Sequence, residues 1–165
     1  MARVEVPRKR EKRRILQKLS SYFDEVLEEK NMVIRDVDSK GKDAIFLDSS
    51  LVGIRVKLAE TGEEGIYPSI KAIMEKGLKG DLWVTVDQGA VPYVCNGAHI
   101  MAPGVVAVGS DIQKGGFVAV KEEKHDRILA IGVALLSKRE LEKTEKGKVV
   151  KNLHWVGDPI WVASK

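Results

Sequence analysis

The sequence predicts an α+β protein of two domains, a small α/β domain over residues 1–79 and a small barrel of short strands over residues 80–165. Three observations support this prediction. Apolar residues recur at helical spacing near the N-terminus, and period-two patterns follow up to about residue 59. The second half consists of short strand-like segments separated by glycine turns, which is typical of a small barrel. With 165 residues, of which 44% are hydrophobic, the chain is long enough for two small cores.

The first predicted element is an amphipathic helix from Pro7 to about Lys30, because apolar residues recur there on one helical face. Those residues are Ile15, Leu16, Leu19, Tyr22, Phe23, Val26 and Leu27. Seven basic and two acidic residues give the stretch from Arg3 to Arg14 a charge of +5, so the excess positive charge of the chain, +4 in all, lies in this stretch. This order of charges opposes the helix dipole, which suggests that the cations serve a partner. We expect an RNA or ribosome contact, with a solvated extension as the competing interpretation, at Arg8, Lys9, Arg10, Arg13 and Arg14.

The rest of the first domain is predicted as three strands and a short helix. The strands are Val33–Val37, Ala44–Leu47 and Val52–Leu58, with turns at Ser39–Asp43 and Gly62–Gly65. The helix follows Tyr67-Pro68-Ser69, is ended by Gly77 and Gly80, and places Ile70, Ile73, Met74 and Leu78 on one face. The domain boundary is expected at Lys79–Asp81.

The second domain is predicted to contain at least five strands and one capped helix. Ser137 is expected to be the N-cap of that helix, with Glu140 completing a capping box and Gly147 ending the helix. The strands are Leu82–Val86, Phe117–Lys121, Arg127–Leu135, Asn152–Val156 and Ile160–Val162.

A spaced set of motifs in the second half resembles the PUA domain, named for pseudouridine synthases and archaeosine transglycosylases. The set is Val86-Asp87-Gln88-Gly89-Ala90, Val94, Gly97-Ala98, Ile100-Met101-Ala102-Pro103-Gly104-Val105 and Ile131-Gly132-Val133-Ala134. The resemblance covers roughly residues 80–163. It implies a PUA pseudo-barrel of mostly antiparallel strands with short helices, and a function in RNA binding.

Further motifs resemble the malignant T-cell amplified sequence family, in an archaeal-type form. They are Tyr67-Pro68-Ser69, the stretch from Gly97 to Gly104, and Asn152-Leu153-His154-Trp155. The resemblance implies an α/β domain followed by PUA, and a role in translation initiation, reinitiation or recycling. It also implies tRNA or ribosomal RNA, the small ribosomal subunit and a density-regulated-protein-like translation factor as partners.

The PUA resemblance also implies an RNA groove between the first helix of the domain and its last strand, which often takes a tRNA acceptor end. The residues expected there are Gly89, Ala90, Tyr93, Gly97, Ala98, His99, Pro103, Gly104 and Val105, with Trp161 on the strand opposite. Glycines at these positions allow close backbone approach or positive φ, although tight barrel turns explain them equally well one by one. Tyr93 or Trp161 could stack on a base, and packing is the competing interpretation. Trp83 and Trp155 are interpreted as core residues.

Nothing in the sequence predicts catalysis, a metal or a cofactor. The single cysteine, Cys95, excludes an internal disulfide, and the three histidines are too dispersed for a zinc cluster of the usual kind. No apolar run is long enough to cross a bilayer, and a cytoplasmic location is expected. Two alternatives to a translation factor remain open at this point: an accessory RNA-binding factor for RNA modification, and a protein–protein adaptor. A small enzyme would need a closed cluster of polar groups.

Overall fold

The computed structural model describes residues 3–57 and 62–164. The chain divides into two compact units, one formed by Met1–Lys79 and Val162–Lys165 and the other by Gly80–Trp161. No helix in the described ranges is long and apolar enough to cross a membrane.

The first unit is built on a five-stranded antiparallel sheet in chain order. Its strands are β1 (Val4–Glu5), β2 (Met32–Asp36), β3 (Lys42–Leu47), β4 (Ser50–Lys57) and β5 (Glu64–Pro68). Strand β5 begins within the stretch predicted as the turn Gly62–Gly65, and the last residue of the predicted strand Val52–Leu58 lies outside the described residues. The helices of this unit are α1 (Lys9–Ser20) and α2 (Ile70–Lys76).

Helix α1 buries Ile15, Leu16 and Leu19, as its periodicity predicts. A Cβ on Gly53 would stand 2.8 Å from Leu19 Cδ2 and 2.8 Å from the Tyr67 carbonyl oxygen. Because that oxygen belongs to the backbone and cannot move aside easily, β4 needs a glycine at this position. The predicted extension of α1 to Lys30 is wrong, because the helix ends at Ser20.

Two adjacent serines explain why α1 stops. The Ser21 hydroxyl donates to the Lys18 carbonyl at 2.6 Å, and the Ser20 hydroxyl accepts from the Leu27 backbone N–H at 3.0 Å. Serine side chains that bond nearby backbone groups compete with the helical ladder. The chain therefore leaves the helix but still buries Phe23 and Leu27, whereas Val26 is 83% exposed.

Helix α2 begins where the sequence predicts and ends before Gly77, the first of the two predicted glycines, so Leu78 lies beyond the helix. The Ser69 hydroxyl accepts from the Ala72 N–H at 3.1 Å, and Gly77 has a φ of 74° at the C-terminal end. The prediction that Met74 lies on the buried face is wrong, because its side chain is 62% exposed.

The second unit is a nearly closed pseudo-barrel, which confirms the predicted fold class. Its six strands follow the order β7-β11-β10-β9-β6-β8, and only the β6–β9 pair is parallel. They are β6 (Trp83–Val86), β7 (Ile100–Met101), β8 (Val105–Val108), β9 (Phe117–Glu122), β10 (Ile128–Ala134) and β11 (Lys148–Trp155). The helices are α3 (Val91–Val94), α4 (Lys138–Lys143) and α5 (Pro159–Ala163), and the last two residues of α5 are counted with the first unit.

The capping box of α4 is present as predicted, with Ser137 and Glu140 bonding each other's backbone N–H. The helix ends at Lys143, four residues before the predicted stop at Gly147.

The predicted strand Ile160–Val162 is wrong, because this segment belongs to α5. Asp158 caps that helix: its Oδ1 accepts from the Trp161 N–H at 2.8 Å, and its Oδ2 accepts from the Trp155 N–H at 3.1 Å. Pro159 then occupies the first helical position, where a proline loses no hydrogen bond. Burial raises the pKa of Asp158, but the bond to the buried His154 ring at 2.8 Å and the two N–H donors outweigh it and hold the pKa below its ordinary value.

Candidate functional site

A groove of about 600 Å³ lies in the second unit, between the segment that follows β6 and the segment that contains β7. The first segment contributes a 3₁₀ turn, Gln88–Ala90, and helix α3, and the second contributes β7 and a 3₁₀ turn, Ala102–Gly104. Seven of the expected residues line it: Gly89, Ala90, Tyr93, Ala98, His99, Pro103 and Gly104. Sequence reasoning did not assign the other five to the groove, namely Asp87, Val94, Ile100, Met101 and Lys148.

Asp87 sets the geometry at one end of the groove. Its Oδ1 accepts from the Ala90 N–H at 2.9 Å, which caps the 3₁₀ turn, and its own N–H donates to the Gly104 carbonyl at 2.9 Å. A Cβ on Gly104 would stand 3.1 Å from the Ala90 Cβ, so a larger residue at 104 would push the two segments apart by a few tenths of an ångström. The Gly-Ala and Pro-Gly motifs therefore form opposite sides of one contact.

Asn152 fixes the loop between α3 and β7 from beneath. Its buried side-chain Nδ2 donates to the Val94 carbonyl at 3.2 Å and to the Ala98 carbonyl at 3.0 Å. Its backbone N–H donates to Nδ1 of His99 at 3.0 Å. Because Nδ1 accepts this bond, the ring hydrogen of neutral His99 lies on Nε2, and the ring orientation is fixed.

The surface of the groove is mostly apolar, with one charge of each sign. Tyr93 is 70% exposed and Met101 is 50% exposed, although both carry large hydrophobic side chains. The charged lining residues are Asp87 and Lys148. An exposed aromatic ring beside an apolar groove with few polar groups is suited to a flat ligand that stacks and is oriented by a few contacts.

Three of the expected groove residues lie elsewhere. Gly97 has a φ of 89°, and a Cβ there would stand 2.8 Å from the Trp155 ring, so this glycine forms a tight turn against a tryptophan. Val105 packs against the hydrophobic core at the start of β8. Trp161 lies in α5, so the interpretation of it as a strand residue opposite the groove is wrong.

The tryptophans interpreted as core residues are only partly buried. Trp155 packs against the core, as does Cys95. The ring of Trp83 lies 5.2 Å from the Lys121 ammonium, a cation–π distance.

The basic segment begins α1 in the first unit. Among the described residues, Arg8, Lys9, Arg10 and Arg13 are exposed and form no ion pair. Arg14 differs, since its guanidinium lies 2.6 Å from a Glu11 oxygen and 3.2 Å from a Glu64 oxygen. The hydrogen bond to Glu11 raises the pKa of Arg14 above its ordinary value.

No group of three or more His, Cys, Asp or Glu side chains able to hold a metal occurs in the part of the chain that the structure describes. Burial raises the pKa of the Cys95 thiol, which disfavours the reactive thiolate.

Comparison with known proteins first identifies the class. Residues 83–156, which include the whole groove, match the PUA domain family. Two solved structures share the fold over the full chain. A hypothetical protein from Pyrococcus horikoshii OT3 is 31% identical with a TM-score of 0.78, covering 99% of this chain and 100% of that chain. A PUA domain structure from Aeropyrum pernix K1 is 29% identical with a TM-score of 0.75, covering 100% and 92%.

The particular family follows from the relatives. An uncharacterized protein of Methanocaldococcus jannaschii is 32% identical over 93% of this chain and 91% of its own length. Translation machinery-associated protein 20 of Schizosaccharomyces pombe is 32% identical over 87% and 78%. Human Malignant T-cell-amplified sequence 2 is 35% identical over 46% and 44%. The chain belongs to the family that contains these PUA-domain proteins, as its sequence motifs predicted.

Proposed function

We propose that this protein is an RNA-binding translation factor that takes the single-stranded acceptor end of a tRNA into the PUA groove. The observation that supports this most strongly is Tyr93, an aromatic side chain 70% exposed beside an apolar groove. Exposing such a ring to water forgoes the burial free energy that a core position would give it. A ligand that stacks on the ring provides a reason for the exposure.

The shape and chemistry of the groove favour an unpaired strand over a duplex. Side chains cannot read bases in the deep major groove of A-form RNA, whereas the splayed bases of a single strand stack on aromatic rings. The groove offers apolar faces from Ala90, Met101 and Pro103 and a histidine whose ring is held by Asn152. A tRNA ends in an unpaired segment of the required kind.

The exposed cations at the start of α1 supply an electrostatic, sequence-independent contact to phosphates. Arg8, Lys9, Arg10 and Arg13 have their charges available, and Arg14 would first have to leave Glu11 and Glu64. In this proposal they bind tRNA or ribosomal RNA. The name of the fission-yeast relative, Translation machinery-associated protein 20, supports work in translation. The small ribosomal subunit and a density-regulated-protein-like factor are part of the same proposal and rest on the family resemblance alone.

The test is binding of the purified protein to tRNA with and without an intact CCA end, each measured at two salt concentrations. Wild-type protein is compared with Tyr93→Ala and with a variant in which Arg8, Lys9, Arg10 and Arg13 are neutralised. We expect Tyr93→Ala to weaken binding of intact tRNA about 5- to 150-fold, the range for loss of one stacked base. The variant that lacks these four charges should bind tRNA more weakly and with a smaller salt dependence, but it should retain its preference for the CCA end.

Val106→Ala is the matched control for the tyrosine variant. Val106 is 51% exposed in the same unit but does not line the groove, so its truncation should leave affinity unchanged. Acceptor recognition would be contradicted if wild type bound tRNA equally well with and without the CCA end and if neutralising the four cations abolished binding. Absence of any tRNA binding, together with salt-insensitive binding to a protein partner, would favour an adaptor.

A further inference from the structure

The groove has a charge polarity along the segment Met101–Gly104. At one end, Lys148 of β11 pairs with Met101 of β7. At the other end, the Asp87 N–H bonds the Gly104 carbonyl. The backbone positions that these two contacts mark, Met101 and Gly104, are three residues apart. Extended or 3₁₀ backbone advances about 2–3.5 Å per residue, so those two positions are separated by about 6–10 Å. This distance is comparable with the size of one nucleotide.

The Lys148 end is suited to a phosphate. Lys148 is exposed, and within the described residues its ammonium forms no ion pair or hydrogen bond. The Ala102 N–H donates to the Gly147 carbonyl at 2.8 Å, which fixes the backbone beside it. Lys146, also exposed and unpaired in that part of the chain, adds a second positive charge nearby. An unpaired ammonium on a fixed backbone next to the groove is suited to a phosphate contact.

The Asp87 end is suited to hydroxyl groups and repels phosphate. Oδ1 of Asp87 caps the 3₁₀ turn through the Ala90 N–H, and Oδ2 has no hydrogen-bond partner among the described residues. A carboxylate oxygen accepts hydrogen bonds from ribose hydroxyls, as acidic residues do in nucleotide sites. A strand that continued through the groove would bring another phosphate to this carboxylate, whereas a strand that ends there brings the 2′ and 3′ hydroxyls.

We propose that the groove reads the end of the strand: Lys148 binds the last phosphate, and Asp87 accepts hydrogen bonds from the hydroxyls of the 3′-terminal ribose. Asp87 thereby acts as a specificity residue that admits a free 3′ hydroxyl end and rejects a 3′-phosphorylated one. This inference rests on the proposed RNA-binding function and adds a direction to it.

The test is a cycle of two proteins and two ligands. A short 5′-fluorescein-labelled oligoribonucleotide ending in CCA is prepared with a 3′ hydroxyl or a 3′ phosphate, and its binding by wild type and by Asp87→Asn is measured by anisotropy. Asparagine keeps the cap, because its side-chain oxygen also accepts from the Ala90 N–H. We expect the 3′ phosphate to weaken binding by wild type at least about fivefold, and Asp87→Asn to remove most of that penalty. Asp126→Asn removes an exposed carboxylate that does not line the groove, and it should keep the full penalty.

Lys148→Ala tests the other end through the salt dependence. Loss of one phosphate contact to a single strand should make the slope of log affinity against log salt shallower by about 0.7. Lys124→Ala, which removes an exposed lysine outside the groove, should leave the slope as in wild type.

The outcomes separate this inference from the proposed function. If wild type and Asp87→Asn each bind the 3′-hydroxyl and 3′-phosphate oligoribonucleotides with equal affinity, the proposed role of Asp87 is overturned and RNA binding still stands. An unchanged salt slope in Lys148→Ala overturns the phosphate contact. Wild type that binds neither the oligoribonucleotide nor tRNA overturns the proposed function itself.

Discussion

Replacing Asn152 by alanine should lower the stability of the second unit and, by the same lost bonds, release the segment that lines the groove. The Asn152 amide is buried and donates to two backbone carbonyls, those of Val94 and Ala98, in the segment that carries α3 and the loop to β7. Alanine removes both donors. The backbone bond from residue 152 to His99 is retained, because it uses the main-chain N–H.

The magnitude follows from where the two carbonyls lie. The Val94 carbonyl also accepts from the Gly97 N–H at 3.1 Å, so it keeps one donor and loses only a net bond of about 1 kcal/mol. Ala98 is exposed, so its carbonyl can regain water and only the net bond of about 1 kcal/mol is lost. Two net bonds of about 0.5–1.5 kcal/mol each give an expected loss of about 1–3 kcal/mol in the free energy of unfolding.

Urea unfolding followed by tryptophan fluorescence measures this loss directly. The three tryptophans, Trp83, Trp155 and Trp161, all belong to the second unit, so the signal reports on the unit that is changed. Asn96→Ala is the matched control, since Asn96 is exposed in the same segment and its removal should cost less than about 0.5 kcal/mol. Equal stability of the two variants would refute the reasoning. Affinity for the CCA end should fall in Asn152→Ala without a change in salt slope.

Two further changes test the packing and the electrostatics. Gly97→Ala should destabilise the protein more than Gly115→Ala in the same unfolding assay. Both positions have positive φ, but only at Gly97 would the Cβ meet the Trp155 ring, at 2.8 Å. Equal losses of stability would show that the ring moves freely aside. The pKa of Asp158 is lower in the folded protein than the value of about 3.9 in the unfolded chain, so this carboxylate stabilises the fold at pH values above about 3.9. That stabilisation is lost as the pH falls through the lower folded pKa. The unfolding free energy of Asp158→Asn should therefore fall less steeply with acid than that of wild type, and parallel curves would contradict the assignment.

Sequence patterns succeeded where the controlling contacts are local. The capping box of Ser137 and Glu140 and the cap of α2 at Ser69 depend on residues three apart, so the spacing determines them. The end of α1 was missed because its apolar periodicity continues past Ser20, while the serine hydroxyls that stop it bond the backbone. Asp158 and Pro159 fit two local structures equally well. They can form a turn before a strand, as the sequence interpretation had it, or the N-cap and first position of a helix, as the structure shows.

The sequence by itself determined the class of fold and the segment that forms the groove, because the Gly-Ala and Pro-Gly motifs occur in a fixed order along the chain and its composition allows two small cores. Tertiary structure alone decided which residues complete the groove and which of the cations are available. Lys148 and Asn152 reach it from β11, about fifty residues beyond the motif, through strand pairing with β7 and buried bonds to backbone carbonyls. Arg14 is paired with Glu64, fifty residues away, once β5 lies beside α1. Contacts of this kind depend on how the strands pair, which the local sequence does not encode.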